Sequence, residues 1–226
     1  MTLIWATKIK GKWTLLADSS VSIWDIHTDA NYSYRPKIRE IMWKHITLIT
    51  AWCGVIRDID FALNILEESL ENKKFKTKKE LKFFLQNELA LTYKTLKELS
   101  NDPSFELLIL EPKTDTLFAT DGYGITEPKG YANIVLGTWD TNFYKSLKYN
   151  QFWGAFKHAV ECNDHCDYPI ITYRDWKTNA RYWMEDDNTF YKLVCVDEQE
   201  EKIWTPVSND EELRDRYICD WTDKAL

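Results

Sequence analysis

Apolar residues recur along the chain at two different periods, and the changes of period divide it into blocks. Leu3 to Ile9 is rich in strand formers, Lys10-Gly11-Lys12 is a turn signal, and Trp13 to Ala17 is a second apolar run. This pattern predicts a β-hairpin. Asp18-Ser19-Ser20 ends it, and a polar loop is expected from about Asp25 to Pro36. Lys37 to Trp43 and Ile46 to Trp52 predict a second hairpin about the short Trp43-Lys44-His45 connection, with Gly54 as the next punctuation.

The period then changes from two to about 3.6. Ile59, Leu63, Leu66 and Leu70 fall at helical spacing. Thr77 and Glu80 have capping-box spacing and open a second helix. Its predicted stripe is Leu81, Leu85, Leu89, Leu96 and Leu99, and Asn101-Asp102-Pro103 stops it. Strand-like runs return at Phe105 to Leu110, Thr116 to Thr120 and Tyr131 to Leu136. The Gly137-Thr138-Trp139-Asp140 turn leads into helical sequence over about 141–166, and Pro169 to Tyr173 and Phe190 to Val196 read as further strands. Consecutive hairpins imply antiparallel sheets. Two such sheets covered by two helical layers would bury every apolar stripe, so the expected fold is an α+β four-layer αββα sandwich. No Gly-rich strand-to-helix loop of the dinucleotide-binding or P-loop type occurs.

Composition narrows the function classes. The net charge of −7 gives no global basic face for nucleic acid. Lys73, Lys74, Lys76, Lys78 and Lys79 read as a solvated loop and helix start. No apolar run approaches the ~20 residues of a membrane span. The first residues lack the charged-then-apolar order of a signal peptide, and the five Cys are an odd number. A reduced, cytoplasmic protein is therefore expected. Eleven Trp against seven Gly is unusual, and means many bulky positions and few close backbone approaches.

Thr2 carries the first chemistry to weigh. With Met1 removed, it would present a hydroxyl and an α-amine on one Cα. An α-amine has a reference pKa of about 7.7–8.0, near enough to neutrality to accept the proton of its own hydroxyl. With Met1 retained, that amine is acylated and the base is lost.

Thr2-Leu-Ile-Trp-Ala followed by Leu-Leu-Ala-Asp18-Ser19-Ser20 resembles the opening of proteasome β-subunits and of the HslV-type peptidase, within the N-terminal nucleophile hydrolases. Lys37-Ile38-Arg39-Glu40-Ile41 is similar to the family's lysine strand, after a somewhat longer loop. Ile49-Thr-Ala-Trp-Cys53-Gly54-Val-Ile-Arg-Asp58 is similar to its strand, glycine turn and helix Asp. Phe105-Glu-Leu-Leu-Ile-Leu with Leu117-Phe-Ala-Thr-Asp-Gly resembles its central hairpin, and Val135-Leu-Gly137-Thr138 its small turn. Ala155 to Asp167 resembles a helix end that supplies an Asp and a Ser.

The resemblance covers residues 2–173, taken as a proteasome-like core. Residues 174–226 are taken as a Trp-rich C-terminal extension packed on it. The resemblance implies Thr2 as nucleophile, Lys37 as the cation that eases its deprotonation, and Asp18 as the partner of Lys37. It also implies the Gly54 N–H as oxyanion donor, Thr138 at the family's Ser position, Asp164 (or Asn163) at its Asp, and Cys166 at its second Ser. The implied activity is a threonine peptidase acting on peptides or unfolded protein. A homo-oligomeric ring, often fed by an ATPase partner, is implied with it, and no cofactor or metal.

Departures from the family pattern support one alternative, a non-catalytic structural or interaction subunit, and a third reading keeps the threonine chemistry but transfers the acyl group to an amine rather than water. Trp52 and Trp139 stand in turns where relatives have small residues, and are expected to narrow the cleft. His158, Cys162, Cys166 and His165 have partial zinc spacing, but buried helix cysteines are the simpler expectation.

Overall fold

The computed structural model describes residues 2–9, 11–23, 31–35, 37–100, 102–120, 124–128, 133–137, 152–162, 166, 170–173, 181–184, 190–196 and 202–206. The first hairpin is β1 (Leu3–Ile9) and β2 (Lys12–Ala17), antiparallel with Ile4 opposite Ala17. A small separate hairpin follows, β3 (Ser20–Ile23) and β4 (Asn31–Tyr34), where a polar loop was expected to run on to Pro36. Strand β5 (Ile38–Trp43) pairs with β6 (Ile46–Gly54) around the two-residue Lys44-His45 turn.

Helix α1 spans Ile56–Leu70 and α2 spans Lys78–Leu99. The N-cap Thr77 accepts from the Glu80 N–H at 3.2 Å, as its spacing predicts. The Glu80 carboxylate reaches back to the Lys76 N–H at 2.8 Å, one residue before the cap. Leu99 departs from the expected stripe: at the last turn of α2 it is 70% exposed, because the helix has run past the sheet that covers Leu85, Leu89 and Leu96.

Strands β7 (Phe105–Glu111), β8 (Thr116–Thr120) and β9 (Ile125–Thr126) complete a five-stranded antiparallel sheet in the order β5-β6-β7-β8-β9. Strands β10 (Asn133–Gly137), β11 (Ile170–Tyr173), β12 (Arg181–Met184), β13 (Phe190–Val196) and β14 (Lys202–Pro206) join the first hairpin. They make a seven-stranded sheet ordered β10-β1-β2-β11-β12-β13-β14. Strands β12 to β14, from the C-terminal extension, thus continue the core sheet outward from β11.

Alternation along the strands divides the core into layers. Ile4, Ala6, Leu15, Ala17, Ile38, Ile49, Ala51, Cys53, Leu108 and Leu110 fill the space between the sheets. Leu48, Trp52, Leu107, Ile109 and Phe118 face the other way and pack under Ile59, Leu63, Leu66, Leu85 and Leu89 of α1 and α2. On the far side, Trp5 stacks on Phe156 of α3 (Phe152–Glu161), with ring centroids 6.3 Å apart and planes within 5°. The order helix, sheet, sheet, helix is the αββα sandwich that the pattern predicted. No helix among the described residues is long and apolar enough to cross a membrane.

Candidate functional site

The first turn of β1 meets the last residues of β6 and β10 at one end of the sandwich. Alternation from Ile4 and Ala6 places Thr2, which is half-buried, on the inter-sheet face. Gly137 lies opposite Leu3 in the β1–β10 register. Its φ is +94°, and a Cβ there would lie 2.0 Å from the Thr2 carbonyl oxygen and 3.6 Å from the Cys53 Cβ. Only glycine lets β10 close against Thr2 in this way. Gly54 plays the same part for β6: with φ +126°, its Cβ would stand 2.4 Å from the Ser104 carbonyl oxygen.

Asp18 and Lys37 meet behind Thr2. The small hairpin β3–β4 makes this possible, since the Arg35 N–H bonds the Ser19 carbonyl at 2.9 Å and returns the chain beside its own start. Lys37 Nζ then donates to Asp18 Oδ2 at 2.7 Å. Both side chains are fully buried. The other Asp18 oxygen, Oδ1, accepts from the Leu3 N–H at 2.8 Å, and the Asp18 N–H donates to the Leu3 carbonyl at 3.1 Å. The Lys37 carbonyl accepts from the Trp52 N–H at 3.1 Å. A buried charge is tolerable only when paired and hydrogen-bonded. Here the pair is tied by its carboxylate to the residue after Thr2, and by its backbone to the strand that ends at Gly54.

Cys53 and Glu106 were not singled out as site residues from the sequence. They face each other across β6 and β7, and the Cys53 thiol donates to Glu106 Oε2 at 3.2 Å. Burial pushes the Cys53 thiol well above its ordinary value, and the Glu106 carboxylate adds to this by charge and hydrogen bond. The Lys37 ammonium acts in the opposite sense, so the thiol lies within the field of the buried pair. The available signal was a lone charged residue in the apolar run Phe105 to Leu110. Asp58 anchors the same end: its Oδ2 accepts from the Ser104 N–H at 3.0 Å, which fixes the start of α1 to the strand beside Gly54.

The structure therefore brings together Thr2, Asp18, Lys37 and Gly54. Cys166 is buried in the segment beyond α3, whereas Cys162 is exposed, contrary to the expectation that both are buried. Cys162 lies 3.6 Å from the His158 ring, and no group of three metal-ligating side chains converges among the described residues. Thr138, Trp139, Asn163, Asp164 and His165 lie outside the described residues. Trp52 does not narrow the inter-sheet cleft. Its position on β6 is on the opposite face, so the ring lies in the helix-side core at 3% exposure with the Arg35 guanidinium 5.7 Å from its centre.

No family model matches the chain, and no curated protein does. Solved structures do match. Anbu (ancestral beta-subunit) from Yersinia bercovieri aligns with TM-score 0.65 at 11% identity, over 83% of this chain and 88% of that one. HslV from Trypanosoma brucei aligns with TM-score 0.52 at 14% identity, over 76% and 97%. Thiobacillus denitrificans BPH, in complex with epoxomicin, aligns with TM-score 0.54 at 15% identity, over 76% and 97%. What these likenesses establish for the chain is its fold, the αββα sandwich shared with these structures.

Proposed function

We propose that the chain is a threonine-type hydrolase that cleaves peptide bonds through an acyl-enzyme, with Thr2 as nucleophile once Met1 is removed. The observation that carries this reading is the fully buried Lys37–Asp18 pair, held by the Leu3 N–H directly after Thr2. A buried ammonium in that place favours the deprotonated hydroxyl.

In this reading the free α-amine of Thr2 takes the hydroxyl proton as Oγ1 bonds to the substrate carbonyl carbon. The Gly54 N–H receives the developing oxyanion. The C–N bond then breaks, the departing amine takes up the proton, and an ester on Thr2 remains. Water adds to the ester with the amine as base, releasing the acid and restoring Thr2. Asp18 keeps Lys37 charged and placed. Thr138, Asp164 and Cys166 are assigned by resemblance to the polar support of the amine and hydroxyl. The substrate class is peptide or unfolded polypeptide, and the working form is a homo-oligomer, with an ATPase as a possible partner in feeding it. The likeness to Anbu, an ancestral β-subunit, supports the oligomer.

A peptide epoxyketone tests the chemistry, because it offers a carbonyl to the hydroxyl and an epoxide to the amine of one residue. Protein with a mass-verified free Thr2 should gain the intact mass of the compound and cleave fluorogenic peptides. Thr2→Ala should do neither while folding normally. Free-Thr2 protein that gains no adduct and cleaves nothing in a broad peptide panel would refute the reading and favour the non-catalytic subunit.

A further inference from the structure

Strand β7 is buried at every residue but one. Phe105 and the run from Leu107 to Glu111 are covered, and Glu106 alone is half-buried. Glu106 lies opposite Cys53 in the β6–β7 register, so the two side chains share a face. Cys53 belongs to the core between the sheets, together with Leu108 and Leu110 further along the same face of β7. Both leucines are fully buried. The inter-sheet space is therefore closed inward of Glu106 and open at it. The topology accounts for this opening: β10, which lies over β6, is the last strand of its sheet, and β7 lies beyond β6 on the side away from β5.

The opening is the one beside Thr2. The Cys53 Cβ stands 3.6 Å from the point where a side chain on Gly137 would begin, and that point is 2.0 Å from the Thr2 carbonyl oxygen. Gly54 pairs with Phe105, the residue before Glu106. Charge at this end is unevenly matched. Lys37 pairs with Asp18, and Arg57 pairs with Asp58. Glu106 forms no ion pair with another described residue. Its Oε2 accepts from the Cys53 thiol at 3.2 Å, a weak donor, and its Oε1 accepts no hydrogen bond from a described residue. Among the described residues the mouth therefore carries one net negative charge. A half-buried carboxylate so poorly satisfied costs stability. The next two positions on its face are leucine, so packing gives no reason for a charge here.

We propose that Glu106 selects a cationic side chain, Lys or Arg, close to the scissile bond of the polypeptide substrate. This deepens the hydrolase reading above and rests on it. In that reading the substrate carbonyl lies at the Gly54 N–H, next to the start of β7. A Lys or Arg stem can lie along the apolar inter-sheet surface while its charged end reaches the free Oε1 of Glu106. The pairing takes place at a partly desolvated carboxylate, where a charge-assisted hydrogen bond is worth more than on an open surface. An acidic side chain in the same place would meet an uncompensated like charge. Glu106 touches no reacting atom, so its part is selection and not catalysis.

The test uses the full chain with a mass-verified free Thr2 and N-acetylated fluorogenic peptides. The peptides differ at one position near the scissile bond, which carries Lys, norleucine or Glu, and each flanking position is varied in turn. At the selected position kcat/KM should fall in the order Lys, norleucine, Glu. Lys should lead norleucine roughly 10- to 100-fold, the scale of a hydrogen bond to a charged group, and the difference should lie in KM. E106Q keeps an oxygen to accept from the Cys53 thiol and should abolish the preference, while E106K should favour Glu over Lys. A purely structural role would slow all three substrates alike and leave their ratios unmoved. Should E106Q fail to fold by circular dichroism, E106M, matched to the leucines along β7, takes its place. Binding gives a readout apart from turnover: Thr2→Ala should hold a labelled Lys peptide more tightly than its norleucine twin by fluorescence anisotropy, and T2A/E106Q should not. Cleavage without a charge preference, or a preference that survives E106Q, overturns the assignment of Glu106 and leaves the hydrolase reading in place. Protein that cleaves nothing while Thr2→Ala shows the binding difference overturns the hydrolase reading and leaves the cation site. A preference seen only with unacetylated peptides overturns the side-chain assignment, because the substrate's own terminal amine is then the cation.

Discussion

Replacing Lys37 by Met removes an ammonium but keeps the length and most of the apolar stem. The Asp18 carboxylate then remains fully buried, still accepting from the Leu3 N–H at 2.8 Å on Oδ1 but without the Lys37 ammonium at Oδ2. Breaking a buried pair at one end costs about 3–5 kcal/mol, against about 0–1 kcal/mol for an exposed pair. For a domain of this size each kcal/mol moves Tm by about 2–4 °C, so Lys37→Met should melt roughly 6–20 °C lower. Asp18→Asn should lose a similar amount. The double variant has no buried charge, so it should recover about 3 kcal/mol or more of the summed single losses. Acidity supplies an independent check. A carboxylate stranded in apolar surroundings has its folded pKa raised above the unfolded value of about 3.9. Its stability contribution is whole below about 3.9 and is lost as pH rises through the folded pKa. The deficit of Lys37→Met against wild type should therefore be largest at neutral pH and narrow on acidification. Urea unfolding at several pH values measures all of this. Single losses under about 1 kcal/mol, additive losses, or a deficit indifferent to pH would each refute the reasoning.

Two further outcomes follow from the same end of the sandwich. Gly137→Ala places a Cβ where the Thr2 carbonyl stands and should cost at least about 2 kcal/mol, together with any activity of Thr2. Gly11→Ala, at φ +81° with nothing within 4 Å, should cost about 1 kcal/mol; equal losses in urea unfolding would dismiss the close approach as the cause. The Cys53 thiol, raised by burial and then by Glu106, stays protonated in both states below pH 9.0, whereas above it the unfolded thiol ionises first. Stability should thus fall as pH rises past 9.0 through the folded pKa, by at most about 1.4 kcal/mol per pH unit from this group. Cys53→Ser should flatten that slope relative to wild type, and an unchanged slope would remove the thiol from the account.

The sheets and helices that carry apolar stripes were legible because their burial is one-sided and periodic. The α2 stripe from Leu81 to Leu96 and the strand Ile46 to Trp52 are of this kind. Hairpin β3–β4 was not, because Ser20-Val-Ser-Ile and Asn31-Tyr-Ser-Tyr are short and half polar, and among the described residues they pair only with each other. That omission matters for the site. Asp18 and Lys37 flank the Ser19–Arg35 hydrogen bond that closes this hairpin. Periodicity could not have supplied it. The sequence order shared with a known family led to the pair, and the geometry shows what brings it together. Strand β14 carries a weaker sequence signal, since an edge strand needs little apolar content to add to a sheet.

Scarcity of glycine gives the remaining argument. Among seven glycines in 226 residues, two of the three with described positive φ lie at the ends of β6 and β10, where the strands close on Ser104 and Thr2. The third, Gly11, is in an open turn that tolerates a side chain sterically. A chain that buries Trp5, Trp13 and Trp52 in its core has glycine where backbone approaches backbone beside the buried Lys37–Asp18 pair. Packing alone does not ask for this. A bulky residue at Gly54 or Gly137 would push the backbone away from Ser104 or Thr2, at a cost of about 2 kcal/mol or more. What would be lost is the close convergence of Thr2, Cys53 and Gly54 at one mouth. In the proposed reading that convergence serves chemistry on a bound chain, and it sets the order of experiments: the state of the Thr2 amine first, then the lysine behind it.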